Sequence, residues 1–510
     1  MTEIADIDRL ASGRFAAGRR GAVAAGHPVA AYAGLRILDA GGNAVDACLA
    51  AAALCWVVMP DMCGPGGDLF AVVHTPDGRV QAINGAGPAP ARDFPPEDPE
   101  DRGALCLVPG ALPAFVTLRE TLGRLPLAEI FAPALAVAET GFVAGRRLVR
   151  QIEAIPPGRF RDELSALWGG ELPGVGDIVH CPPLTAALRR FAEGAAPMAI
   201  IAEALPEWRA RGVRLSADDL ARYGARLEEA LSLRLGAWAF HGQPPMSQAV
   251  ATLSALGTAG LDVMGHPDCG FREHMLIESY KRAYEGLTEL GDGGDSRALC
   301  RRMLAPAHMR RMRERIGPAA TTHPPMIRNY GETTQCAAVD ADGRLATVTH
   351  SLYRPFGARV LSPETGLFAN DRGGSFSDGA NAATAGGLPR HTLVNVVAVH
   401  ADGDVFALGT PGAQAQAQTT LQVLARLVRD RDAVRDAVLA PRWSFIGGDR
   451  IAIEAAMPSA ISDNLLERGH GVALRPPHDW LMGSVSLAAW RNGVCQAVAD
   501  HRREALALAL

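Results

Sequence analysis

The sequence predicts an α+β fold in which a helix-rich first part leads into a strand-rich last part. Helical patterns cover residues 27–59, 110–203 and 267–317, and a weakly alternating stretch at 229–241 predicts a strand. From Thr333 onward, apolar runs of strand length alternate with turn residues. Because 48% of the 510 residues are hydrophobic, the chain can bury a large core.

Two helices are expected at the start of this pattern. Pro28 suits the first turn of a helix, and Gly41-Gly42 would end that helix. Asn43 can cap a second helix, Ala44–Val58, and Pro60 stops it. Because the second helix is apolar on all sides, it is predicted to be buried.

A glycine-rich turn, Cys63-Gly64-Pro65-Gly66-Gly67-Asp68, leads into a predicted hairpin. Its strands are Leu69–His74 and Arg79–Asn84, joined at Pro76-Asp77-Gly78. Glycine-rich turns also bind phosphate, but neither G-x-G-x-x-G nor G-x-x-x-x-G-K-[ST] is present. A nucleotide site is therefore not predicted.

The later elements follow from the same signals. Ser216-Ala217-Asp218-Asp219 resembles a capping box at a helix start. The stretch Ala319–Gly331 has adjacent prolines and no periodicity, and it is predicted to be exposed and extended. The strand-rich part is predicted to contain hairpins at 333–352, 394–408 and 485–498, a helix at 416–429, and short strands at 451–453 and 472–474.

Composition argues against several partners and chemistries. A net charge of −5 without a Lys/Arg-rich tract gives no basic surface for nucleic acid. Lys281 is the only lysine, so Schiff-base chemistry would depend on it. The nine cysteines form no C-x-x-C pair, and no H-x-x-x-H or H-E-x-x-H occurs. Neither a disulfide framework, a metal nor another cofactor is predicted.

The N-terminal residues carry acids where a signal peptide needs positive charge, and they lack an apolar core. The longest apolar run, 47–59, is too short to cross a bilayer. No membrane partner is therefore expected, and the expected location is the cytoplasm.

The segment Gly331-Glu332-Thr333-Thr334 fits the requirements of an N-terminal nucleophile. Such an enzyme needs a Thr, Ser or Cys at the start of a strand, with its own α-amine as the base. That amine titrates near pH ~7.7–8.0, which suits a general base. To free it in mid-chain, the hydroxyl must attack the preceding carbonyl. A rival pair, Thr321-Thr322, precedes Pro324-Pro325, which cannot open a central strand.

Motifs along the chain resemble the gamma-glutamyltransferase (glutathione hydrolase) family of N-terminal-nucleophile hydrolases. They occur in the family's order over nearly the whole chain: HPVAAYAGLRILDAGGNAVDA at 27–47, the Gly-Pro-Gly-Gly turn at 64–67, Val108-Pro109-Gly110, GRLPLAEIFAPA at 123–134, TTQCAAVDADG at 333–343, Phe356-Gly357, G-x-x-x-N at 366–370 and Gly409-Thr410-Pro411-Gly412. The resemblance implies a four-layer αββα sandwich. It also implies cleavage into a large chain, 1–332, and a small chain, 333–510, that stay together as one intertwined heterodimer.

The resemblance assigns the catalytic roles residue by residue. Thr333 matches the nucleophile, and cleavage is implied between Glu332 and Thr333. Ser351 stands where a second Thr orients the nucleophile, and it keeps the hydroxyl. Gly412 and Ala413 match the paired glycines whose N–H groups form the oxyanion hole.

The substrate-binding positions depart from the family pattern. Ala86–Pro90 lacks the arginine that holds the α-carboxylate of a glutamyl substrate, and His391-Thr392 replaces two serines. The positions that hold the α-amino group are Tyr353, Arg372 and Ser375. An ammonium beside Arg372 would be repelled, so a γ-glutamyl substrate is not expected.

Two interpretations of Arg372 remain at this stage. It either pairs with Asp371 or a neighbouring acid, or it grips a carboxylate or carbonyl of another acyl group, assisted by His391. The alternative for His391 is a partly buried histidine whose hydrogen bonds are satisfied and which has no role in binding. Asp378–Pro389, rich in Gly and Ala, is either a lid over the site or a plain surface loop.

Three functions follow. The first is a self-processing amide hydrolase or acyltransferase for a small acidic amide or N-acyl compound, like the oxamate amidohydrolase and cephalosporin acylase branch of the family. The second is a glutathione hydrolase with an altered pocket. The third is an uncut relative without catalysis. The partners expected are the small-molecule substrate and the two processed chains, with a higher oligomer left open.

Overall fold

The computed structural model describes residues 14–98, 101–323 and 331–510, and its helices and strands confirm the α+β prediction. The helices are Pro28–Asp39, Ala44–Val58, Ala111–Leu122, Leu127–Thr140, Arg146–Glu153, Arg159–Leu167, Pro182–Ala192, Pro197–Arg209, Ala217–Ala221, Ala249–Met264, Cys269–Gly286, Ser296–Met303, Pro306–Glu314, Ala415–Arg429, Val434–Leu439 and Ser459–Glu467. The strands are β1 Phe15–Gly18, β2 Gly21–Ala25, β3 Asp68–His74, β4 Val80–Gly85, β5 Phe142–Val143, β6 Ile178–Val179, β7 Leu227–Glu229, β8 Leu231–Leu235, β9 Trp238–Gly242, β10 Glu332–Asp340, β11 Leu345–Tyr353, β12 Asn395–His400, β13 Val405–Gly409, β14 Trp443–Gly447, β15 Arg450–Glu454, β16 Gly471–Arg475, β17 Ser486–Arg491, β18 Val494–Ala499 and β19 Leu506–Ala509.

Two seven-stranded antiparallel sheets form the centre of the molecule. The front sheet has the order β19-β2-β10-β11-β3-β4-β7, and the back sheet has the order β1-β18-β17-β13-β12-β9-β8. A three-stranded sheet, β14-β15-β16, lies apart from them. Each large sheet contains strands from both sides of the Glu332–Thr333 bond: β10, β11 and β19 join β2, β3, β4 and β7, while β12, β13, β17 and β18 join β1, β8 and β9.

The space between the two large sheets is filled mainly by small side chains. Alanines and valines from both sheets, among them Ala22, Ala337, Ala407 and Ala488, form one buried cluster. Small residues on both inner faces let the sheets interdigitate without large voids.

Helices cover the outer face of each sheet and complete the αββα sandwich. The Ala44–Val58 helix packs on the front sheet, and every one of its residues is buried, as predicted. Its start is fixed by a capping box in which Asn43 and Asp46 satisfy each other's backbone N–H groups. The helices Ala249–Met264 and Ala415–Arg429 belong to the cluster on the back sheet. Of the described helices, none is both long and apolar enough to span a membrane.

The glycine-rich turn at 64–67 has a packing role. A Cβ atom at Gly67 would lie 2.3 Å from the Ser351 carbonyl oxygen, and one at Gly66 would lie 2.0 Å from the Phe368 carbonyl oxygen. Glycine is needed here because two backbone segments approach the turn closely. The turn therefore positions the end of β11, where Ser351 lies.

Two local predictions were wrong in part. The stretch 229–241 forms two strands, β8 and β9, because the chain reverses at Gly236 with a φ of 56°. In the segment Ala319–Gly331, Ala319 and Thr322 are exposed as predicted, but His323 is only 5% exposed and pairs with Gly448. Residues 324–330 of that segment and residues 1–13 lie outside the described residues.

Candidate active site

Thr333 lies at the start of β10, inside the front sheet. Glu332 pairs with Tyr353 on β11, and the register shifts between Glu332 and Thr334, which places Thr333 at an irregularity of the ladder. Such irregularities re-aim side chains beside functional sites. Glu332 and Thr333 are 4% and 2% exposed, so the bond between them is buried.

Ser351 connects the Thr333 hydroxyl to the carbonyl of Glu332. The Thr333 hydroxyl donates to Ser351 Oγ over 3.3 Å, and the Ser351 hydroxyl donates to the Glu332 carbonyl oxygen over 2.6 Å. The backbone N–H of Tyr353 donates to Ser351 Oγ at 2.9 Å and fixes the relay. The Tyr353 φ of 81° lies in the left-handed region, which orients this N–H at the expense of backbone strain.

Gly412 and Ala413 join β13 to the Ala415–Arg429 helix. Their φ angles are 127° and 48°, and the carbonyl of Gly412 accepts from the N–H of Ala415 at 2.8 Å. Within the described residues, neither the Gly412 nor the Ala413 N–H has a hydrogen-bond partner. A Cβ on Gly331 would lie 3.5 Å from the Ala413 Cβ, so Ala413 lies beside the chain that enters the candidate cleavage site.

A cavity of about 740 Å³ opens beside these groups. Gly331, Glu332, Gly412 and Ala413 are among its lining residues. The lining also includes apolar and basic side chains, among them Phe445, Trp480, Arg450, Arg475 and Arg503. A chamber of this size can hold a small-molecule substrate. Glu332 lines it, whereas the next residue, Thr333, is not among its lining residues.

The carboxyl of Glu332 is buried beside this cavity. Its Oε1 accepts from Gln151 Nε2 at 3.3 Å, and Oε2 has no partner among the described residues. Burial raises the pKa of Glu332 to about 7, against the opposing positive charges of Arg503 and Arg147. Arg147 is itself paired with the buried Asp61.

The raised pKa of Glu332 predicts a pH-dependent stability of the uncut chain. Folding raises the pKa of this carboxyl from 4.5 to about 7. Its contribution to the stability of the folded chain is therefore complete only below about pH 4.5, where it is protonated. Stability should therefore fall as the pH rises towards 7, by about 2–3 kcal/mol. In thermal unfolding of Thr333→Ala, adding Glu332→Gln should remove this part of the slope.

The matched control for this experiment is Glu504→Gln, because the Glu504 side chain is 42% exposed. It should leave the slope between pH 4.5 and 7 in place. An identical slope with and without Glu332→Gln would refute the assignment.

The predicted substrate-binding residues form a second buried cluster around Asp68. Arg372 Nε lies 2.7 Å from Asp68 Oδ2, and each side chain is 1% exposed. His391 Nε2 contacts the same oxygen at 3.3 Å and packs on Phe70 with ring centroids 4.3 Å apart. Burial and the nearby charge of Arg372 lower the pKa of His391 to about 4, so its imidazole is neutral at pH 7.

Two sequence-based expectations for this cluster are corrected. The acid paired with Arg372 is Asp68; Asp371 instead contacts Arg102 and Arg354. Because Asp68 balances the charge of Arg372, the repulsion expected for an ammonium beside Arg372 is weaker than the sequence suggested. Burial alone would raise the pKa of Asp68, but Arg372 and His391 hold that pKa below its usual value.

The other expected binding residues are close by. The guanidinium of Arg372 lies 4.6 Å from the centre of the Tyr353 ring, and Nη1 and Nη2 have no partner among the described residues. Ser375 Oγ donates to the carbonyl of Arg372 at 2.7 Å, and Thr392 is buried next to His391. In the segment 378–389, the carbonyl oxygen of Gly387 accepts a hydrogen bond from the N–H of Ala89.

Another buried cluster brings together His274, Glu278 and His470, with ligand atoms within 4.8 Å of one another. Their spacing in the sequence gave no metal motif. His274 Nδ1 lies 2.9 Å from His470 Nε2, and Lys281 Nζ lies 2.7 Å from Glu278 Oε1. Because Lys281 already supplies the cation, we interpret this cluster as a hydrogen-bonded network that also holds the Thr321 hydroxyl.

Sequence reasoning missed Asp68, Arg147 and Arg503. Asp68 was taken as part of a turn, and Arg503 lies in a C-terminal stretch without a recognisable motif. The acidic residue at the end of the glycine-rich turn was the available signal for Asp68. Nothing local distinguishes Arg503 from the other arginines of the chain.

The two stacked sheets between helical layers have the architecture of the N-terminal-nucleophile hydrolases, and this defines the class of protein. Among solved structures, the cephalosporin acylase from Bacillus halodurans has a TM-score of 0.86 at 26% identity, covering 97% of both chains. The family model for gamma-glutamyltranspeptidase matches residues 30–510, so the chain belongs to this family.

Curated relatives match over most of their length. The chain is 28% identical to the oxamate amidohydrolase proenzyme of Klebsiella pneumoniae, with 94% of this chain and 97% of the relative covered. It is 30% identical to the acylase ACY 1 proenzyme of Pseudomonas sp. strain SE83, with 90% and 88% covered.

Proposed function

We propose that this chain cuts itself between Glu332 and Thr333 and then hydrolyses small acidic amides or N-acyl compounds with Thr333 as nucleophile. The observation that carries the proposal is the position of Ser351 Oγ, 2.6 Å from the Glu332 carbonyl oxygen and 3.3 Å from Thr333 Oγ1. The names of the relatives, amidohydrolase and acylase proenzymes, support both the cleavage and the reaction class.

Self-cleavage requires the Thr333 hydroxyl to attack the carbonyl carbon of Glu332. Ser351 polarises that carbonyl by donating to its oxygen and lies within reach of the proton that leaves Thr333 Oγ1. When the C–N bond breaks, the nitrogen of Thr333 takes up the proton and the Glu332 acyl group becomes an ester on Oγ1. Water then cleaves this ester and leaves Thr333 with a free α-amine.

The same groups serve the reaction on a substrate. The α-amine of Thr333 accepts the proton of its own hydroxyl, which attacks the amide carbonyl. The free N–H groups of Gly412 and Ala413 would stabilise the oxyanion. The leaving amine takes the proton, and water, or an amine in a transfer reaction, releases the acyl group.

The buried cluster of Tyr353, Arg372, Ser375, His391 and Thr392 is the proposed binding wall for the neutral polar part of the substrate, although none of the five lines the 740 Å³ cavity. Since Asp68 already occupies Nε of Arg372, its Nη1 and Nη2 are suited to a carbonyl oxygen rather than to a second full negative charge. The guanidinium of Arg372 has only N–H donors and cannot accept hydrogen bonds from the family's α-ammonium, so a γ-glutamyl compound is not the proposed substrate.

Intact mass and N-terminal sequencing of the purified protein test the cleavage directly. We expect two pieces, the smaller beginning TTQCAAVD. The matched control is Thr322→Ala, which alters the exposed member of the rival pair and should be cut identically.

Other results would contradict the proposal in distinct ways. A new N-terminus at Thr321 or Thr322 would transfer the nucleophile to that pair. A chain that stays whole under native conditions would favour the non-catalytic alternative, and turnover of a γ-glutamyl anilide would favour the glutathione hydrolase alternative.

A further inference from the structure

Arg503 is an incompletely satisfied cation in the wall of the 740 Å³ cavity. Its guanidinium stacks on Trp480 at 4.0 Å from the ring centre, and Nη2 donates to the Trp480 carbonyl at 3.3 Å. Nε and Nη1 are buried and have no partner among the described residues. Burying guanidinium N–H groups without acceptors is costly, which indicates that an anionic group belongs there.

Most of the charged side chains that line this cavity are positive, like Arg503. Arg450 and Arg475 also line the cavity, and Glu332 is the one acid among the described residues that line it. Arg475 is partly satisfied, because its Nε lies 2.6 Å from Asp479. The nearby Asp61 is already paired with Arg147, so its carboxylate does not satisfy Arg503.

Glu332 supplies a carboxyl to this cavity only while the chain is uncut. Its side chain and Arg503 line the same chamber, and neither Oε2 of Glu332 nor Nε of Arg503 has a close partner among the described residues. In the proposed self-cleavage, Thr333 forms an ester with Glu332. That ester is the same bond that Thr333 would form with a substrate acyl group.

Resting on the proposed function, we infer that Arg503 binds the carboxylate of the substrate's acyl group, in the chamber that the Glu332 carboxyl lines in the uncut chain. The acyl group is then a dicarboxylic half-amide. A glutaryl amide has the same spacing between scissile carbonyl and carboxylate as Glu332, so glutaryl amides should be used better than oxalyl amides, whose carboxylate is attached directly to the carbonyl.

The test compares two anilides on the processed enzyme, glutaryl p-nitroanilide and its neutral methyl ester. Wild type should prefer the acid. Arg503→Met should lower kcat/KM for the acid on the order of a hundredfold, mainly through KM, because a buried charge partner is lost. The neutral ester should change by less than about threefold, since it makes no charged contact.

Three further variants make the test specific. Arg503→Lys keeps the charge but not the planar fork, and an intermediate loss of about tenfold is expected. Arg372→Met should weaken the acid and the ester alike. Arg20→Met, at an ion pair whose side chains are 67% and 55% exposed, should change neither.

If Arg503→Met is not cut, the lysine variant and competitive inhibition of wild type by glutarate, but not by dimethyl glutarate, decide the matter. The inference is overturned if processed wild type uses acid and ester equally, or if the preference survives in both Arg503 variants. A processed enzyme that hydrolyses neutral anilides but ignores the carboxylate overturns only the role of Arg503. A chain that is never cut instead overturns the proposed function itself.

Discussion

Thr333→Ala is expected to leave the chain whole and to abolish amide hydrolysis. Without Oγ1 there is no nucleophile for the Glu332 carbonyl, and without the cut there is no α-amine to serve as base. Removing a central member of such a catalytic unit costs about 10⁴-fold or more in kcat. Intact mass gives the first result, and turnover of an acidic anilide gives the second.

Thr333→Ser is the matched control, because it keeps the hydroxyl and, once cut, the amine. It should be processed and active, although the lost methyl group leaves its hydroxyl less firmly oriented. Normal cleavage of Thr333→Ala would remove Thr333 from the mechanism. Normal folding of Thr333→Ala is checked by its melting temperature, since the side chain is buried.

Gly412→Val is expected to lower kcat on the order of 10²–10³-fold by disturbing the proposed oxyanion donors. At a φ of 127° a residue with a Cβ is strained, and a Cβ there would lie 3.1 Å from the Cα of Gly483. The backbone must then shift, and the N–H groups of Gly412 and Ala413 turn with it. Single-turnover kinetics on the processed enzyme measure the effect on acyl transfer.

Ala413→Gly is the natural comparison, since it changes the neighbouring residue without adding atoms. Ala413 has a φ of 48°, which glycine adopts without strain, so the N–H stays in place. We expect kcat to be retained and stability to change by less than about 1 kcal/mol. Equal losses in both variants would mean that the segment acts through folding rather than through its donors.

Local signals account for much of the fold. Asn43 with Asp46 marks a helix start, the uninterrupted apolar run to Val58 marks a buried helix, and the turn after Asp340 marks the β10–β11 hairpin. In each case the determining interactions lie within a few residues of one another. The αββα arrangement needed the family resemblance, because strand order depends on pairings such as β19 with β2, at opposite ends of the chain.

The charge balance of the site could not be predicted in the same way. Arg372 was recognised as a departure from the family, but its partner Asp68 lies 304 positions earlier in the chain. Arg503 lines the same cavity as Glu332 because the segment after β18 returns to the front sheet. Such pairs are created by the fold, and no spacing rule connects their members.

Both large sheets contain strands from either side of the Glu332–Thr333 bond, and this affects how the cut protein would unfold and reassemble. If that bond is cut as proposed, neither piece retains a complete sheet, and strand pairing and the packing of buried residues from both pieces hold them together. Unfolding would then separate two chains whose original assembly was intramolecular. Their reassembly would depend on concentration, and the mature protein would be held by its unfolding barrier more than by an equilibrium it can regain.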